Sequence, residues 1–261
     1  MLYIKTQDDQ NIKKLYKKGD FMFLQIMIIF VTLMASFIGS LSGFGLSTIM
    51  LPISLMLMDA EKALLFVGIV HFFESSWKLY FFHKDIDYYL IKNFGLPSII
   101  ASAFGAYLSL SIDQNILKKI IGLFLCTLII TSYKQVNWQF KKKERTALFG
   151  GSVSGFFAGL TGMGGALRAA FLSVFDLSKT AFISTLAFIA IITDTARLIV
   201  YSPTAKIFPL SLWKILAICI PVSFFGVWIA QKTILYISEK TFRRIIEVSL
   251  FIIGLKLIIW G

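Results

Sequence analysis

Histidine and cysteine are scarce in this chain, with two of each among 261 residues. No Cys-x-x-Cys pair occurs, and no Cys/His grouping has ligand spacing, which removes zinc sites and thiol relays from consideration. Cys126 and Cys219 lie in separate apolar runs and read as small buried hydrophobes. The chemistry of the sequence therefore needs no metal and no cofactor. Acidic residues are also few: 14 Asp and Glu stand against 26 Lys and Arg, for a net charge of +12. Such a balance raises nucleic acid as a partner. The basic residues, however, sit in tails and loops between apolar runs, so nucleic acid is not expected. A cleavable signal peptide is missing as well. Twenty polar residues precede the first apolar run, and that run is far longer than a signal h-region and has no small-residue cleavage site. It reads as an uncleaved signal-anchor.

Apolar length is what the chain has in excess. Hydrophobic residues make up 57% and aromatics 15% of it. Runs near the ~20 residues that cross a bilayer follow one another with short polar gaps. Eight spans are predicted, over 21–58, 63–82, 93–112, 115–133, 146–175, 180–201, 208–230 and 244–260. The runs are continuous rather than alternating, which argues against a strand barrel. The expected class is an all-α integral membrane protein of the cell (inner) membrane. The first and fifth runs are too long for one crossing and contain glycine clusters, so each is expected to be broken or re-entrant. Lysines crowd residues 1–20 (Lys5, Lys13, Lys14, Lys17, Lys18), and Lys134, Lys141, Lys142, Lys143 and Arg145 crowd 134–145. By the positive-inside rule both segments are expected to be cytoplasmic, with four crossings between them and a cytoplasmic C-terminus.

The chain reads as two halves, 21–133 and 146–261, joined by the basic linker 134–145. Shifted by 119, "LSGFG" at Leu41–Gly45 falls on "LTGMG" at Leu160–Gly164, and Lys78 falls on Arg197. Identity is low, five of 44 positions from Gly39 to Phe82. A second block, "LKKII" at Leu117–Ile121, falls on "FRRII" at Phe242–Ile246 at a shift of 125. Repeated halves with broken helices in corresponding places are a pattern of transporters, whose site lies at the repeat interface near the midplane.

At those broken stretches, "GSLSGFGLSTIMLP" (Gly39–Pro52) and "GFFAGLTGMGGALRA" (Gly155–Ala169), the chain resembles the sulfite exporter TauE/SafE family, also called the toluenesulfonate uptake permeases. The resemblance rests on a Gly-x-Gly-Gly-like motif opening each half, a four-plus-four layout of spans, and a basic pair beginning the last span of each half. Leu46 and Ser47 replace glycines usual in that motif, and Phe171 stands where a proline equivalent to Pro52 is usual. The resemblance implies transport of small anions, sulfite and organosulfonates among them. The expected partners are a small inorganic or organic anion and the lipid bilayer; self-association stays open.

Several residues carry chemistry in these runs. Gly151, Gly155 and Gly159 recur every four residues and suit close helix packing. Gly162, Gly164 and Gly165 do not share a face. With Gly43 and Gly45 they suit an unwound break, whose half-helix N-terminus favours anions. Arg168 follows that break, and a charge within a span faces a cavity or partner by default. It has three readings: a bidentate grip on an oxyanion, snorkelling to the interface, or a structural ion pair. His71, Glu74 and Lys78 share one helix face, and Asp194 and Arg197 are three apart in the other half. Each acid–base pair is either a neutralising salt bridge, or a frame in which Lys78 and Arg197 line the pathway while His71, Glu74 or Asp194 carries protons. The functional expectation is a secondary transporter. An anion channel stays open, as does a membrane-embedded assembly factor or enzyme. An enzyme would need a nucleophile–base set that these residues do not supply.

Overall fold

The computed structural model describes residues 18–42, 45–133, 143–233, 251 and 254–259, and within them the chain is all helical with no strand. The helices are α1 (Lys18–Ser42), α2 (Leu46–Leu55), α3 (Ala60–Phe82), α4 (Tyr88–Ser111), α5 (Gln114–Tyr133), α6 (Glu144–Thr161), α7 (Gly165–Leu172), α8 (Lys179–Tyr201) and α9 (Leu210–Thr233). Residues 254–259 form a further helical turn. Four helices are long and apolar enough to cross a membrane: Tyr88–Ser111, Gln114–Thr131, Thr180–Ile207 and Leu210–Thr233. Gln25–Ser40, Leu46–Leu55 and Gly165–Phe175 are shorter apolar helices. The length of α3 would suffice, but His71, Glu74, Ser75, Ser76 and Lys78 lower its apolarity. The span expected at 244–260 lies mostly outside the described residues.

Both overlong runs are interrupted where the glycines cluster, and each then folds back on itself. Helix α6 stops at Thr161, and Gly162 takes a left-handed φ of 74°. The chain re-enters helix at Gly165. A Cβ on Gly164 would lie 2.5 Å from that of Ala158, and one on Gly150 2.6 Å from the Phe171 ring, so α7 runs back along α6. The first half does likewise. Gly45 has φ 78°, a Cβ on Gly39 would lie 2.5 Å from Leu46 N, and Thr32 meets Met50 further along. Only glycine adopts such a φ without strain, which is why these turns fall where they do.

The remaining helices pack by close glycine contact. Cβ atoms on Gly151, Gly155 and Gly159 would lie 2.2, 2.4 and 2.0 Å from the carbonyl oxygens of Phe94, Ser98 and Ser102. Both series step by four and rise together, so α4 and α6 run parallel and nearly touch at the backbone, as the glycine spacing predicts. Ser98 adds a hydrogen bond from Oγ to the Gly151 carbonyl at 2.9 Å. A π-turn at Ile91–Gly95 precedes Pro97 in α4 and accommodates the amide that proline lacks. Helix α9 runs parallel to α1, with Cys219 against Thr32 and Gly226 against Ser36.

Helices α3 and α8 cross antiparallel at the centre: Gly68 faces Arg197, His71 faces Asp194, and Asp85, just past α3, accepts from Thr180. Helix α9 also follows α3, through the ring pairs Phe66–Phe208 and Trp77–Phe224. Helix α4 follows α8, through Asp87–Thr185 and Ser102–Thr193. Thus α1, α3 and α9 point one way and α4, α6 and α8 the other. The Lys18 end of α1 and the Glu144 end of α6 therefore lie at opposite ends of the bundle. The first run, which the expectation of four passes counted as one crossing, folds back on itself at Gly45. The tail and linker themselves lie outside the described residues.

Large apolar side chains such as Ile100, Phe104, Tyr107, Leu123 and Ile199 point outward, while Glu74, Arg168, Asp194 and Arg197 are at most 1% exposed. An apolar exterior around a charged interior is the arrangement a bilayer demands.

Candidate functional site

The two hairpin tips meet at the α3–α8 crossing. The point where a Cβ on Gly45 would sit is 3.4 Å from His71 Nε2 and 4.0 Å from Gly165 Cα. Gly45 opens α2 and Gly164 opens α7, each with no side chain capping the helix that follows. Two half-helix N-termini, each with partial positive charge, thus converge near one imidazole.

From α8, Asp194 reaches the same point. Its Oδ2 lies 2.6 Å from His71 Nδ1, and its Oδ1 accepts from Arg197 Nη2 at 2.9 Å. Arg197 donates its other terminal nitrogen, Nη1, to the Ala158 carbonyl at 3.2 Å. That carbonyl belongs to the last turn of α6, where the helix dipole favours a cation. A Cβ on Gly162 would lie 3.4 Å from the same nitrogen, so Gly162 leaves room for the guanidinium. Tyr201, one turn beyond Arg197, donates its hydroxyl to the Gly159 carbonyl. Sequence reading passed over Tyr201, although it shares the helix face of Asp194 and Arg197 at i+7 and i+4.

Arg168 sits one turn into α7, 1% exposed, so it does not snorkel. Asp194 and Arg197 are the charges acting on it. Its Nε and Nη1 are buried and make no hydrogen bond with any described residue. A desolvated guanidinium with empty donors is costly, and a fork of this kind matches a planar or tetrahedral oxyanion.

Glu74 and Lys78 form a separate pair one to two turns along α3. Lys78 Nζ is 2.5 Å from Glu74 Oε1, which also accepts from Ser40 at 3.2 Å near the end of α1. Glu74 Oε2 has no partner among the described residues. No hydrogen bond or ion pair among the described residues joins Lys78 to the Arg197 cluster. Gly164 packs against Ser154 and Ala158 instead of lining open space. Gly43 lies outside the described residues. No group of three or more metal-ligating side chains occurs among the described residues.

Both acid–base pairs close within their own halves, as i,i+4 and i,i+3 spacing permits. Counting charges, Lys78, Arg168 and Arg197 face Glu74 and Asp194, leaving one positive charge with His71 neutral. The surplus resides on Arg168, the one of the three cations without a carboxylate in hydrogen-bond contact.

No curated protein and no solved structure matches the chain. The profile of the sulfite exporter TauE/SafE family matches residues 28–257, nearly its whole length and both glycine breaks, and the chain belongs to that family of membrane transporters.

Proposed function

We propose that the protein is a secondary transporter of small oxyanions such as sulfite or organosulfonates, and that the anion binds where the two hairpin tips meet. The observation that carries this reading is Arg168: a fully buried guanidinium with two empty donors, beside two uncapped half-helix N-termini. Backbone amides of α2 and α7 would hold the oxyanion, with Arg168 supplying the full charge. Arg197 is held by Asp194 and the Ala158 carbonyl; with Gly162 and Gly165 it forms the wall of the site. Lys78 and Glu74 border the pathway on the α1 side.

The reading includes two homologous halves of inverted topology. An offset of 119 carries α3, Ala60–Phe82, onto α8, Lys179–Tyr201, and an offset of 122 carries α4, Tyr88–Ser111, onto α9, Leu210–Thr233. Equivalent helices α3 and α8 run antiparallel, which requires a two-fold axis in the membrane plane. The pairs α1–α9 and α4–α6 exchange helices between halves, so each half completes the other. Inverted repeats around a central site support alternating access.

The test is flux of sulfite or methanesulfonate in proteoliposomes. The wild-type chain should carry it, and Arg168→Ala that still folds should lose at least about tenfold of the rate, the equivalent of about 1.4 kcal/mol. Arg168→Lys should recover only part, because an ammonium lacks the planar fork. Undiminished flux in Arg168→Ala removes the site; no flux of any small oxyanion in the wild type removes the function.

A further inference from the structure

We propose that His71 is the proton-binding residue of this transporter, and that it couples a proton to the oxyanion within one site. This rests on the anion site proposed above. Among the described buried ionisable groups, His71 is the one that lies against the first half's break at Gly45 and meets the second half's carboxylate, Asp194. Its Nδ1 is fixed on Asp194 at 2.6 Å, which orients the ring and sets the proton on Nδ1. Its Nε2 lies on the Gly45 side, 3.4 Å from where a Cβ on Gly45 would sit, and Gly165 Cα is 4.0 Å from that same point. That nitrogen therefore faces the place assigned to the anion.

The charges around the ring decide what protonation does. From α8, Asp194 contacts His71 directly and Arg197 stands behind Asp194. From α7, Arg168 adds a positive charge that acts on Asp194. On α3 itself, Glu74 and Lys78 cancel each other. Tyr201 is engaged with the Gly159 carbonyl and Cys219 with Thr32. Helix α2 brings no ionisable side chain, and Lys206, Lys214 and Lys232, on the segments beside α3, are exposed. Lys118 of α5 is half-buried and Lys119 exposed. With His71 neutral, Arg168, Arg197 and Asp194 leave one positive charge at the site. A proton added to Nε2, with Nδ1–H retained on Asp194, makes the ring an imidazolium and the local charge two. Two cationic charges match a dianionic oxyanion. Without the dianion, that second charge has only Asp194 against it, a carboxylate that Arg197 and Arg168 already act on. Proton and dianion thus each raise the other's affinity, and the linkage is reciprocal. Release of the anion to either side lowers the proton's affinity, so the proton leaves from Nε2 to water and the neutral ring returns.

The experiment uses the full-length protein in detergent or lipid nanodiscs, in weakly buffered solution at several pH values. Adding sulfite to the wild type should take up protons. Sulfate, a dianion across the tested range, should bind with an affinity that falls about tenfold per pH unit once the linked proton is no longer held, the slope of one linked proton. His71→Asn keeps a donor toward Asp194 and has no group to protonate. It should still bind sulfate, with its affinity flat in pH, and in proteoliposomes an imposed pH gradient should no longer drive accumulation. Anion binding without proton uptake in the wild type overturns this inference and leaves the anion site standing. So does gradient-driven accumulation that survives His71→Asn but is lost in Glu74→Gln. If no oxyanion binds the wild type at any pH, both proposals fall.

Discussion

Asp194 receives a hydrogen bond from each side, His71 from the first half and Arg197 one turn along its own helix. It is the single carboxylate among two arginines and an imidazole. Removing its charge leaves Arg197 buried without an ion partner, a loss of about 3–5 kcal/mol for pairs of this kind. Asp194→Asn should therefore lower the thermal unfolding midpoint in detergent markedly. Asp194→Asn with Arg197→Gln should be less destabilised than the sum of the two single variants, because the double change removes both charges together. Strict additivity would show that the pair is not coupled. At this scale the sequence was readable within a helix and opaque between helices. The i,i+3 spacing announced Asp194–Arg197, and the i,i+4 spacing announced Glu74–Lys78. Nothing local announced that Asp194 also meets His71, 123 positions away. That contact exists because α3 and α8 cross antiparallel, which is a property of packing alone. Of the three readings of Arg168, snorkelling is removed for a related reason: the fold-back of α7 turns the residue inward, where it is buried.

At the scale of the helix, glycine does two different jobs that the structure separates. On the α4–α6 seam the partners are backbone carbonyls, which cannot give way: Ser98 O would stand 2.4 Å from a Cβ on Gly155. At Gly68 the nearest atom is Leu198 Cδ2, at 3.1 Å, the end of a flexible side chain. Gly155→Ala should force the two helices apart and lose about 1–3 kcal/mol, the usual range for overpacking. Gly68→Ala should lose less, since leucine can shift. Differential scanning fluorimetry of the two variants in one detergent checks the order, and equal shifts would mean that the seam is softer than its spacing. The four-residue recurrence of Gly151, Gly155 and Gly159 made the seam legible in advance. The second job, turning the chain back, was legible only as a break. Gly162 and Gly45 mark where helix stops, but the direction of exit depends on φ values and on what the returning arm packs against. The proline missing at Phe171 illustrates this: its ring covers Gly150 at the seam between the two arms. Ile49, which stands where the second half has Arg168, is a buried apolar residue of the core, so the proposed anion site would take this cation from one half only.

For the whole molecule, the decisive quantity is the number of passes between the start of α1 and the start of α6. Positive charge suggested an even number, because lysine clusters at both places favour the same side. Packing gives an odd number: α1, α3 and α9 share one direction, and α6 opposes them through α4 and α8. The charge rule averages over loops and is blind to a hairpin that returns through the protein interior, where neighbouring helices rather than lipid cover the backbone. The proposed inversion would also account for an interior that is nearly neutral overall yet locally lopsided. The proposed two-fold axis in the membrane plane would relate the Glu74–Lys78 pair, beside Ser40 near the end of α1, to Arg197 at the end of α6, and would leave both N-terminal tips pointing at the centre. Single cysteines distinguish the two arrangements directly, because the native Cys126 and Cys219 are both buried. In sealed vesicles of one orientation, a membrane-impermeant maleimide should label Lys18→Cys or Glu144→Cys, but not both, until detergent opens the vesicle. The unlabelled position should then react fully. Labelling of both from the same side would place the N-terminal ends of α1 and α6 together, and with that the inverted repeat, the in-plane axis and alternating access about the central imidazole would all have to be abandoned.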